Sequence, residues 1–383
     1  GRHGPDAEGG VVNVSVIGGG QLGRMLGLAG IPMGMRFRFL EPNADCPAAA
    51  VGPVIAAAYD DERALATLAR DAAVITFEFE NVPVAALERI DPDARPGPPG
   101  VPLRPVLYPR TQSLAVSQDR VDEKRFLASR GVPVQPFEAV HDEASLRRAV
   151  ESVGTPAMLK TRRLGYDGKG QQPVRRPEEA LRAWEALHRA PCIYEAFVPF
   201  VREVSMLVVR GIDGAMRTWP LVENEHRNGI LAVSRTPATD AASLEADAAH
   251  HARAVAEGLG HVGVLALEFF VVDNQGRPGL VGNEIAPRVH NSGHWTIEGA
   301  VTSQFTNHLR AIAGWPLGDT GARGASVMVN LVGEAPPINA MLELEGASVH
   351  LYGKTPRPGR KIGHVTITGP TSASISEASS ALL

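Results

Sequence analysis

Residues 264–294, VLALEFFVVDNQGRPGLVGNEIAPRVHNSGH, decide how this chain folds. The stretch is apolar and rich in branched and aromatic residues up to Val272, and the turn-forming residues 273–279 separate it from a second apolar run. This pattern predicts a β-hairpin, with one strand ending at Val272, a turn over 273–279 and a returning strand.

Each predicted strand carries one glutamate in its apolar run. Glu268 should share a face of the sheet with Ala266 and Phe270, and pairing across the hairpin can bring Glu284 beside it. Two carboxylates in apolar surroundings repel each other and lose hydration unless a cation lies between them. Oxygen ligands of this kind suit Mg²⁺ that nucleotide phosphates also hold. The ordinary alternative is that one glutamate faces solvent and the other pairs with Arg288.

The residues around and after the second glutamate favour a binding site. They form a dense polar run with little apolar side-chain area, which is poor core material and typical of functional loops. The polar members are Asn283, Glu284, Arg288, His290, Asn291, Ser292 and His294.

Composition narrows the class of protein. The 383 residues suffice for two or three domains, and no apolar run is long enough to span a bilayer. A net charge of −4 gives no basic field for nucleic acid. Cys46 and Cys192 lack metal-binding spacing and fit two reduced thiols of a cytoplasmic enzyme. Residues 1–10 are polar, lack the core of a signal peptide and are expected to be a disordered leader.

A glycine turn follows the first β-rich run, residues 11–17. Gly18, Gly20 and Gly23 have the GxGxxG spacing and precede a helical stretch. This order predicts a nucleotide-type βαβ unit whose backbone N–H groups can hold an anion. Because the next strand ends in Glu41, which could meet a ribose hydroxyl, an NAD-dependent dehydrogenase is an alternative.

Two basic loops indicate phosphate contacts. A strand-like run delivers Lys160 into the glycine-rich loop 161–171, and four cations lie in the loop 354–361. Glycines let backbone amides approach a phosphate, while the cations supply charge. The first loop does not match the Walker pattern, and the alternative for each loop is a solvated basic turn.

Two segments predict domain boundaries. Prolines and glycines crowd residues 91–110, where neither a helix interior nor a central strand would tolerate them. Residues 318–324 look like a second boundary, before a small β-rich module with strands over 327–331, 349–352 and 363–367.

Five stretches in order resemble the ATP-grasp superfamily, and within it the N5-carboxyaminoimidazole ribonucleotide synthase family of purine biosynthesis. They are GQLGRM at 20–25, EFENV at 78–82, GYDGKGQ at 165–171, NEIAPRVHNSGH at 283–294 and RPGRKIGH at 357–364. The resemblance implies an α/β (α+β) fold in three parts. A Rossmann-like, biotin-carboxylase-like domain would cover 11–112, an ATP-grasp domain 113–318 with a lid at about 135–200, and a small β-rich domain 319–383.

The resemblance also implies the reaction. Such C–N ligases use MgATP, with Mn²⁺ as an alternative metal, to phosphorylate bicarbonate. The exocyclic amine of 5-aminoimidazole ribonucleotide then captures carboxyphosphate or the CO₂ that it releases, and ADP and phosphate leave. The implied partners are these small molecules and a second copy of the chain in a cytoplasmic homodimer, without nucleic acid or membrane.

The resemblance assigns residues to each ligand. ATP would contact Arg120, Lys160, Gly165, Tyr166, Asp167, Gly168, Lys169, Gly170, Gln171, Glu195, Ala196, Phe197, Val198, Glu203, His226, Asn283 and Glu284. Mg²⁺ would lie on Glu268 and Glu284. Bicarbonate and its adduct would meet Arg288, His290 and Asn291, which form the catalytic set with Asp167 and Lys169. The ribonucleotide would contact Gln21, Leu22, Glu78, Tyr166, Asp167, Lys354, Arg360 and Lys361.

Physical chemistry is consistent with these assignments. Carboxyphosphate is short-lived in water, so a closing lid is needed, and the loop 165–171 suits that role. Asp167 could act as a base or orient the amine. Besides the dehydrogenase, the alternatives are a sister ATP-grasp ligase that uses formate or an amino acid and a non-catalytic binding module.

Overall fold

The computed structural model describes residues 11–90, 106–165, 170–373, 375, 380 and 382. The predicted leader, most of the proline-rich segment and the loop residues Tyr166, Asp167, Gly168 and Lys169 lie outside the described residues.

The amino-terminal part is a parallel sheet with helices against it. The strands are β1 (Asn13–Ile17), β2 (Arg36–Leu40), β3 (Val54–Ile55), β4 (Val74–Phe77) and β5 (Val106–Leu107), in the order β3-β2-β1-β4-β5. The helices are α1 (Gln21–Gly30), α2 (Glu62–Ala69) and α3 (Val84–Ile90). Because the strands are parallel, β1 and β4 end at the same edge, which brings the glycine turn beside Glu78. The predicted βαβ start is confirmed.

The next part of the chain contains a smaller antiparallel sheet. Its strands are β6 (Phe137–Val140), β7 (Ala157–Thr161), β8 (Gln171–Val174) and β9 (Cys192–Ala196), in the order β6-β9-β7-β8. The helices of this part are α4 (Thr111–Ser117), α5 (Arg120–Ser129), α6 (Glu143–Val153) and α7 (Ala180–Ala186). Asp119 caps α5 by accepting the Val121 N–H at 3.1 Å. This cap fixes where α5 begins, directly after α4 has ended at Ser117.

The largest sheet contains the hairpin. Its strands are β10 (Arg202–Arg210), β11 (Met216–Thr218), β12 (Val222–Arg227), β13 (Ile230–Thr236), β14 (Gly263–Asn274), β15 (Arg277–Ala286), β16 (Ala325–Val332), β17 (Ala347–Leu351) and β18 (Lys361–Gly369). The order is β15-β14-β10-β12-β13-β16-β18-β17, with β11 on β10. Helices α8 (Ala241–Gly258), α9 (Thr296–Gly299), α10 (Gln304–Ile312) and α11 (Ile338–Leu342) lie between the strands in the chain. The predicted carboxyl-terminal strands therefore extend this same sheet through the β13–β16 pair.

The hairpin is confirmed, but the predicted seven-residue turn is wrong. The strands continue to the pair Asn274–Arg277, so only Gln275 and Gly276 form the turn, with φ of +57° and +83°. Such a two-residue turn suits the twist of paired strands. Pro278 is accommodated because β15 is an edge strand.

Strand β14 lies between two cores. Leu265, Leu267 and Phe269 pack in the core that includes α8, whereas Val264 and Ala266 pack on the opposite face with residues of α1 and α10. Glu268 follows on this second face, where the apolar core ends and a cavity begins. In the described part of the chain, no helix has the length and apolarity that crossing a bilayer requires.

Candidate active site

A cavity of about 500 Å³ lies at the centre of the described structure, bounded by the hairpin, α5, β7, β9 and β12. Many of the predicted ligand residues line it. They are Gln21, Leu22, Arg120, Lys160, Gly165, Gln171, Glu195, Ala196, Phe197, Val198, Glu203, His226, Glu268, Asn283, Glu284, Arg288, His290, Asn291 and Lys361. Glu78, Gly170, Lys354 and Arg360 lie outside this cavity wall, and Tyr166, Asp167, Gly168 and Lys169 are not described.

A β-bulge forms the acidic wall of the cavity. Leu267 pairs with Ile285 and Phe269 with Gly282, so the single residue Glu268 opposes both Asn283 and Glu284. The extra residue on β15 breaks the ladder and re-aims the side chains there. Glu268 is 8% exposed. Burial and the nearby Glu284 raise the pKa of Glu268 to about 8, although His226 acts in the opposite direction.

The second carboxylate of the bulge has cationic neighbours. Burial raises the pKa of Glu284, but Arg120 and Lys160 outweigh that effect and lower it overall. Arg120 Nη1 lies 3.2 Å from Glu284 Oε2, and Arg120 Nη2 donates to the Gly165 carbonyl at 3.2 Å. Arg120 therefore connects Glu284 with Gly165 of the glycine-rich loop. Glu284 pairs with Arg120 and not with Arg288, so the alternative pairing considered from the sequence is wrong.

Two histidines flank the bulge, and their pKa values are shifted in opposite directions. His226 Nδ1 lies 3.1 Å from Glu203 Oε2; burial lowers the pKa of His226, but Glu203 raises it overall. Burial and Arg288 instead hold the pKa of His290 well below its ordinary value. The Ser292 N–H points at His290 Nδ1, at 3.4 Å, so the proton of neutral His290 is on Nε2, 3.4 Å from Glu268 Oε1. Neutral His290 thus offers Glu268 a weak donor and no full positive charge.

Residues of other elements orient the Arg288–His290–Asn291 run. Arg288 Nη2 lies 2.7 Å from Glu80 Oε2, and Asn291 Nδ2 donates to Asn330 Oδ1 at 3.1 Å. The sequence analysis missed Glu80 and Asn330 as site residues. Glu80 stands in the EFENV run, where only Glu78 was assigned, while nothing local marks Asn330, which reaches the site from β16.

A buried ionic cluster lies at the end of the cavity that α5, β7 and β9 form. Glu195 Oε2 is 2.7 Å from Lys160 Nζ, and Glu195 Oε1 is 3.4 Å from Lys124 Nζ. Burial raises the pKa of Glu195, but the two lysines lower it to about 2. Lys124 was also missed, although the sequence carried a signal. It stands three residues from the buried Val121 and three from the buried Leu127, on the apolar side of α5.

The glycine turn holds carboxylates of the chain itself. The Gly20 N–H donates to Glu78 Oε1 at 2.6 Å, and the Gly19 N–H donates to Glu41 Oε2 at 3.0 Å. The Tyr59 hydroxyl also donates to Glu41 Oε2, at 2.7 Å. Backbone donors that a dinucleotide pyrophosphate would need are therefore already used, which argues against the dehydrogenase reading.

Several of the predicted ribonucleotide residues contact this turn or the helix after it. Lys354 Nζ donates to Gln21 Oε1, so the basic loop 354–361 is joined to the start of α1. Burial lowers the pKa of Lys354, and Arg360 acts in the same direction. Lys361 lines the cavity, whereas Arg360 Nη1 donates to the Thr355 carbonyl within the loop. The structure thus brings basic residues and the glycine turn together beside the cavity.

Comparisons with known proteins identify the families that the chain resembles. The sequence matches the family described as ribonucleotide synthetase preATP-grasp domain over residues 11–118, the ATP-grasp domain over 125–305, and the phosphoribosylaminoimidazole carboxylase C-terminal domain over 326–378. An N5-carboxyaminoimidazole ribonucleotide synthase from Pseudomonas aeruginosa is 47% identical over 359 residues, covering 93% of this chain and 94% of that relative.

Solved structures show the same similarity. The N5-carboxyaminoimidazole ribonucleotide synthetase from Thermus thermophilus is 48% identical, with a TM-score of 0.87 and 96% coverage of both chains. An Aspergillus clavatus N5-carboxyaminoimidazole synthase, solved with ADP and 5-aminoimidazole ribonucleotide, is 29% identical with a TM-score of 0.85. It covers 97% of this chain and 98% of that one.

Proposed function

This chain belongs to the N5-carboxyaminoimidazole ribonucleotide synthase family of ATP-grasp ligases, and we propose how its cavity carries out the reaction. The reaction is the ATP-dependent carboxylation of 5-aminoimidazole ribonucleotide in purine biosynthesis. The observation that carries the proposal is the acidic bulge, which places Glu268 and Glu284 directly before Arg288, His290 and Asn291. One hairpin and the loop after it would then hold the metal and the bicarbonate.

We infer that Glu268 and Glu284 hold Mg²⁺, with Mn²⁺ as a substitute. The residues fit such an ion because Glu268 is buried next to a second carboxylate, and that carboxylate raises its pKa. Two carboxylates leave coordination positions for ATP phosphates, as Mg²⁺ sites in phosphoryl-transfer enzymes do. When bound, the ion would neutralise charge on the transferring phosphoryl group.

ATP would lie between the small sheet and the hairpin. The Arg120 guanidinium and Lys160 Nζ supply positive charge at the phosphate end, and Arg120 also holds the Gly165 carbonyl, which positions the glycine-rich loop. The loop residues 165–171 would cover the phosphates and exclude water. Ala196, Phe197 and Val198 would line the adenine and Glu203 the ribose, with His226, Asn283 and Glu195 nearby.

Bicarbonate would meet Arg288, His290 and Asn291. The Glu80 carboxylate fixes Arg288, so its guanidinium is pre-oriented for an anion at little entropic cost. Because His290 is neutral with its proton on Nε2, it would donate a hydrogen bond to a carboxylate or phosphate oxygen without adding charge.

The ribonucleotide would lie between the glycine turn and the basic loop. Gln21, Leu22 and Glu78 would contact the nucleotide, and Lys354, Arg360 and Lys361 its phosphate. Tyr166, Asp167 and Lys169 belong to the proposed lid, where Asp167 would accept a proton from the exocyclic amine or orient it. On the basis of family resemblance we also expect a homodimer. The two free cysteines fit the reducing environment of the cytoplasm, where we expect the protein to act.

The test is ADP release with MgATP, omitting bicarbonate or 5-aminoimidazole ribonucleotide in turn. Release that requires the ribonucleotide and rises with bicarbonate is the expected result. Release that ignores bicarbonate would contradict the proposal and direct the search to formate or an amino acid as the acid substrate. A thermal-shift series with MgATP against NADH provides a cheap check, because stabilisation by NADH alone would contradict the nucleotide assignment.

A further inference from the structure

Two adjacent residues of α5, Glu123 and Lys124, reach β15 on opposite sides of the bulge. Glu123 Oε1 accepts the Ile285 N–H at 2.7 Å, and Lys124 Nζ donates to the Gly282 carbonyl at 2.9 Å. Both side chains belong to residues that are 2% exposed. Between these two attachment points lie Asn283 and Glu284, whose side chains face the cavity.

The bulge lacks the support that a regular ladder would give it. Strand pairing with β14 stops at Gly282 and resumes at Ile285, so the intervening backbone is held by β14 only at its ends. Unpaired backbone groups at a bulge need other partners if the conformation is to be unique. The two α5 side chains supply these partners at both ends of the interruption.

Gly282 is held from further directions. Its N–H donates to the Pro133 carbonyl at 2.6 Å, and a Cβ atom at this position would lie 2.7 Å from Cγ1 of Val132. Lys124 Nζ also donates to Gln135 Oε1 at 3.2 Å and lies 3.4 Å from Glu195 Oε1. One lysine therefore connects the start of the bulge with the nucleotide end of the cavity.

We propose that Glu123 and Lys124 are positioning residues that clamp the backbone of the bulge and thereby aim Glu284 at the metal. This proposal rests on the proposed metal role of Glu284. Glu123 acts through the Ile285 amide, so what matters is an acceptor oxygen at that place, and a carboxylate charge is not required. Lys124 acts through the Gly282 carbonyl and needs a donor.

The test compares Glu123→Gln, which keeps an acceptor oxygen of the same reach, with Glu123→Met, which removes it at similar volume. Arg125→Gln, exposed on the same helix, is the matched control. The first readout is Mn²⁺ binding with a non-hydrolysable ATP analogue, followed by electron paramagnetic resonance. We expect Glu123→Met to weaken Mn²⁺ binding about tenfold, and Glu123→Gln to remain within about threefold of the parent enzyme.

The second readout needs no ligand. In the free enzyme, amide hydrogen exchange at Ile285 should become at least about tenfold faster in Glu123→Met and stay unchanged in Glu123→Gln and Arg125→Gln. Lys124→Met should likewise weaken Mn²⁺ binding, which keeps the test usable if Glu123→Met folds poorly.

The outcomes separate the two proposals. Equal losses of Mn²⁺ affinity in Glu123→Gln and Glu123→Met would overturn the clamp, because the charge would then matter. Unchanged exchange at Ile285 in Glu123→Met would overturn it as well. If the parent enzyme binds no Mn²⁺ with the analogue, the proposed metal site fails, while the exchange measurement still decides whether the clamp exists.

Discussion

The acidic bulge and the glycine turn each place two carboxylates in a small region, but they differ in how those carboxylates are satisfied. At the glycine turn, Glu78 and Glu41 accept backbone N–H groups at 2.6 and 3.0 Å. At the bulge, Glu268 and Glu284 are pressed together with few donors, and the pKa of Glu268 rises through burial and repulsion from Glu284. The first region satisfies its acidic groups with backbone donors of the chain, although burial also raises the pKa of Glu78. In the second region Arg120 pairs with Glu284, and our proposal supplies a cation for Glu268.

This difference explains why the glycine-rich turn is a poor guide to its ligand, whereas the pair of buried glutamates is a useful one. A glycine-rich turn after a strand predicts an anion site, but here side chains of the protein supply the anion. A pair of buried glutamates predicts a cation site, and the ion-pair contact of Glu268 is with His290, whose pKa lies well below its ordinary value. A buried carboxylate that already accepts hydrogen bonds from the chain is less available to a ligand than one that lacks such partners.

The largest expected effect separates the two regions directly. Glu284→Gln should lower kcat about a thousandfold or more because it removes metal-site charge, with an unchanged circular dichroism spectrum. The same change at the glycine turn, Glu41→Gln, should stay within about fivefold because a neutral acceptor can replace the carboxylate. Near-normal turnover of Glu284→Gln at ordinary Mg²⁺ would refute the metal role.

The second prediction concerns two histidines that join the regions. His308 bonds Thr76 of β4 and the Val264 N–H of β14, and His261 lies 3.1 Å from Ser113 Oγ and 3.0 Å from the Val264 carbonyl. Burial lowers their pKa values to about 3 and about 4 respectively. In the unfolded chain both bind a proton near their ordinary pKa of 6.5, so stability is complete above that pH and is lost as pH falls towards 4.

Each of these histidines should reduce the free energy of unfolding by roughly 1.4 kcal/mol per pH unit within that window. Urea unfolding between pH 4.5 and 7.5 measures the slope. His308→Gln should reduce the slope by the share of one histidine, roughly 1.4 kcal/mol per pH unit. His188→Gln, exposed on the surface, should leave it unchanged. A slope that His308→Gln does not alter would rule out this junction as its source.

The third prediction concerns the close approach at the glycine turn. Gly18 has φ of +105°, and a Cβ there would lie 2.7 Å from Glu78 Oε1. Gly18→Ala should cost about 1–3 kcal/mol of stability, since it strains the backbone and displaces the carboxylate. Gly34→Ala, with φ of +80° but nothing within 4 Å, isolates the backbone contribution and should cost less. Equal losses in urea unfolding would show that the contact with Glu78 is unimportant.

The smallest expected effect is at the rim between the two regions. Lys361→Ala should raise the KM for the ribonucleotide about tenfold, since one charged contact to a phosphate is lost, and should leave the KM for ATP nearly unchanged. Arg182→Ala, exposed on α7, is the control. Steady-state kinetics with each substrate varied in turn provide the measurement, and a change confined to the KM for ATP would contradict the assignment.

The hairpin and the start of the parallel sheet could be predicted because both depend on the pattern of residues within one short stretch of the chain. Two apolar runs separated by turn-forming residues predicted the strands of the hairpin, and the strand–glycine–helix order predicted the βαβ start of the parallel sheet. The turn was predicted too long because Pro278 and Gly279 usually break strands, yet an edge strand tolerates both.

The site was less predictable where its supports come from distant segments. The glutamate pair could be predicted because both members lie in one hairpin. Three supporting contacts depend on tertiary packing between elements that are far apart in the chain. They join Glu80 to Arg288, Asn330 to Asn291 and Glu123 to the Ile285 N–H. Their side chains look like ordinary polar residues in the sequence, and only the fold shows which groups they hold.

The most direct test of the central claim is a crystal structure of the enzyme grown with Mn²⁺ and a non-hydrolysable ATP analogue, with anomalous scattering recorded at the manganese edge. The account predicts an anomalous peak between Glu268 and Glu284, about 2.0–2.3 Å from an oxygen of each, while the glycine turn keeps its contacts with Glu41 and Glu78. A metal peak elsewhere, with Glu268 and Glu284 unliganded, would contradict it.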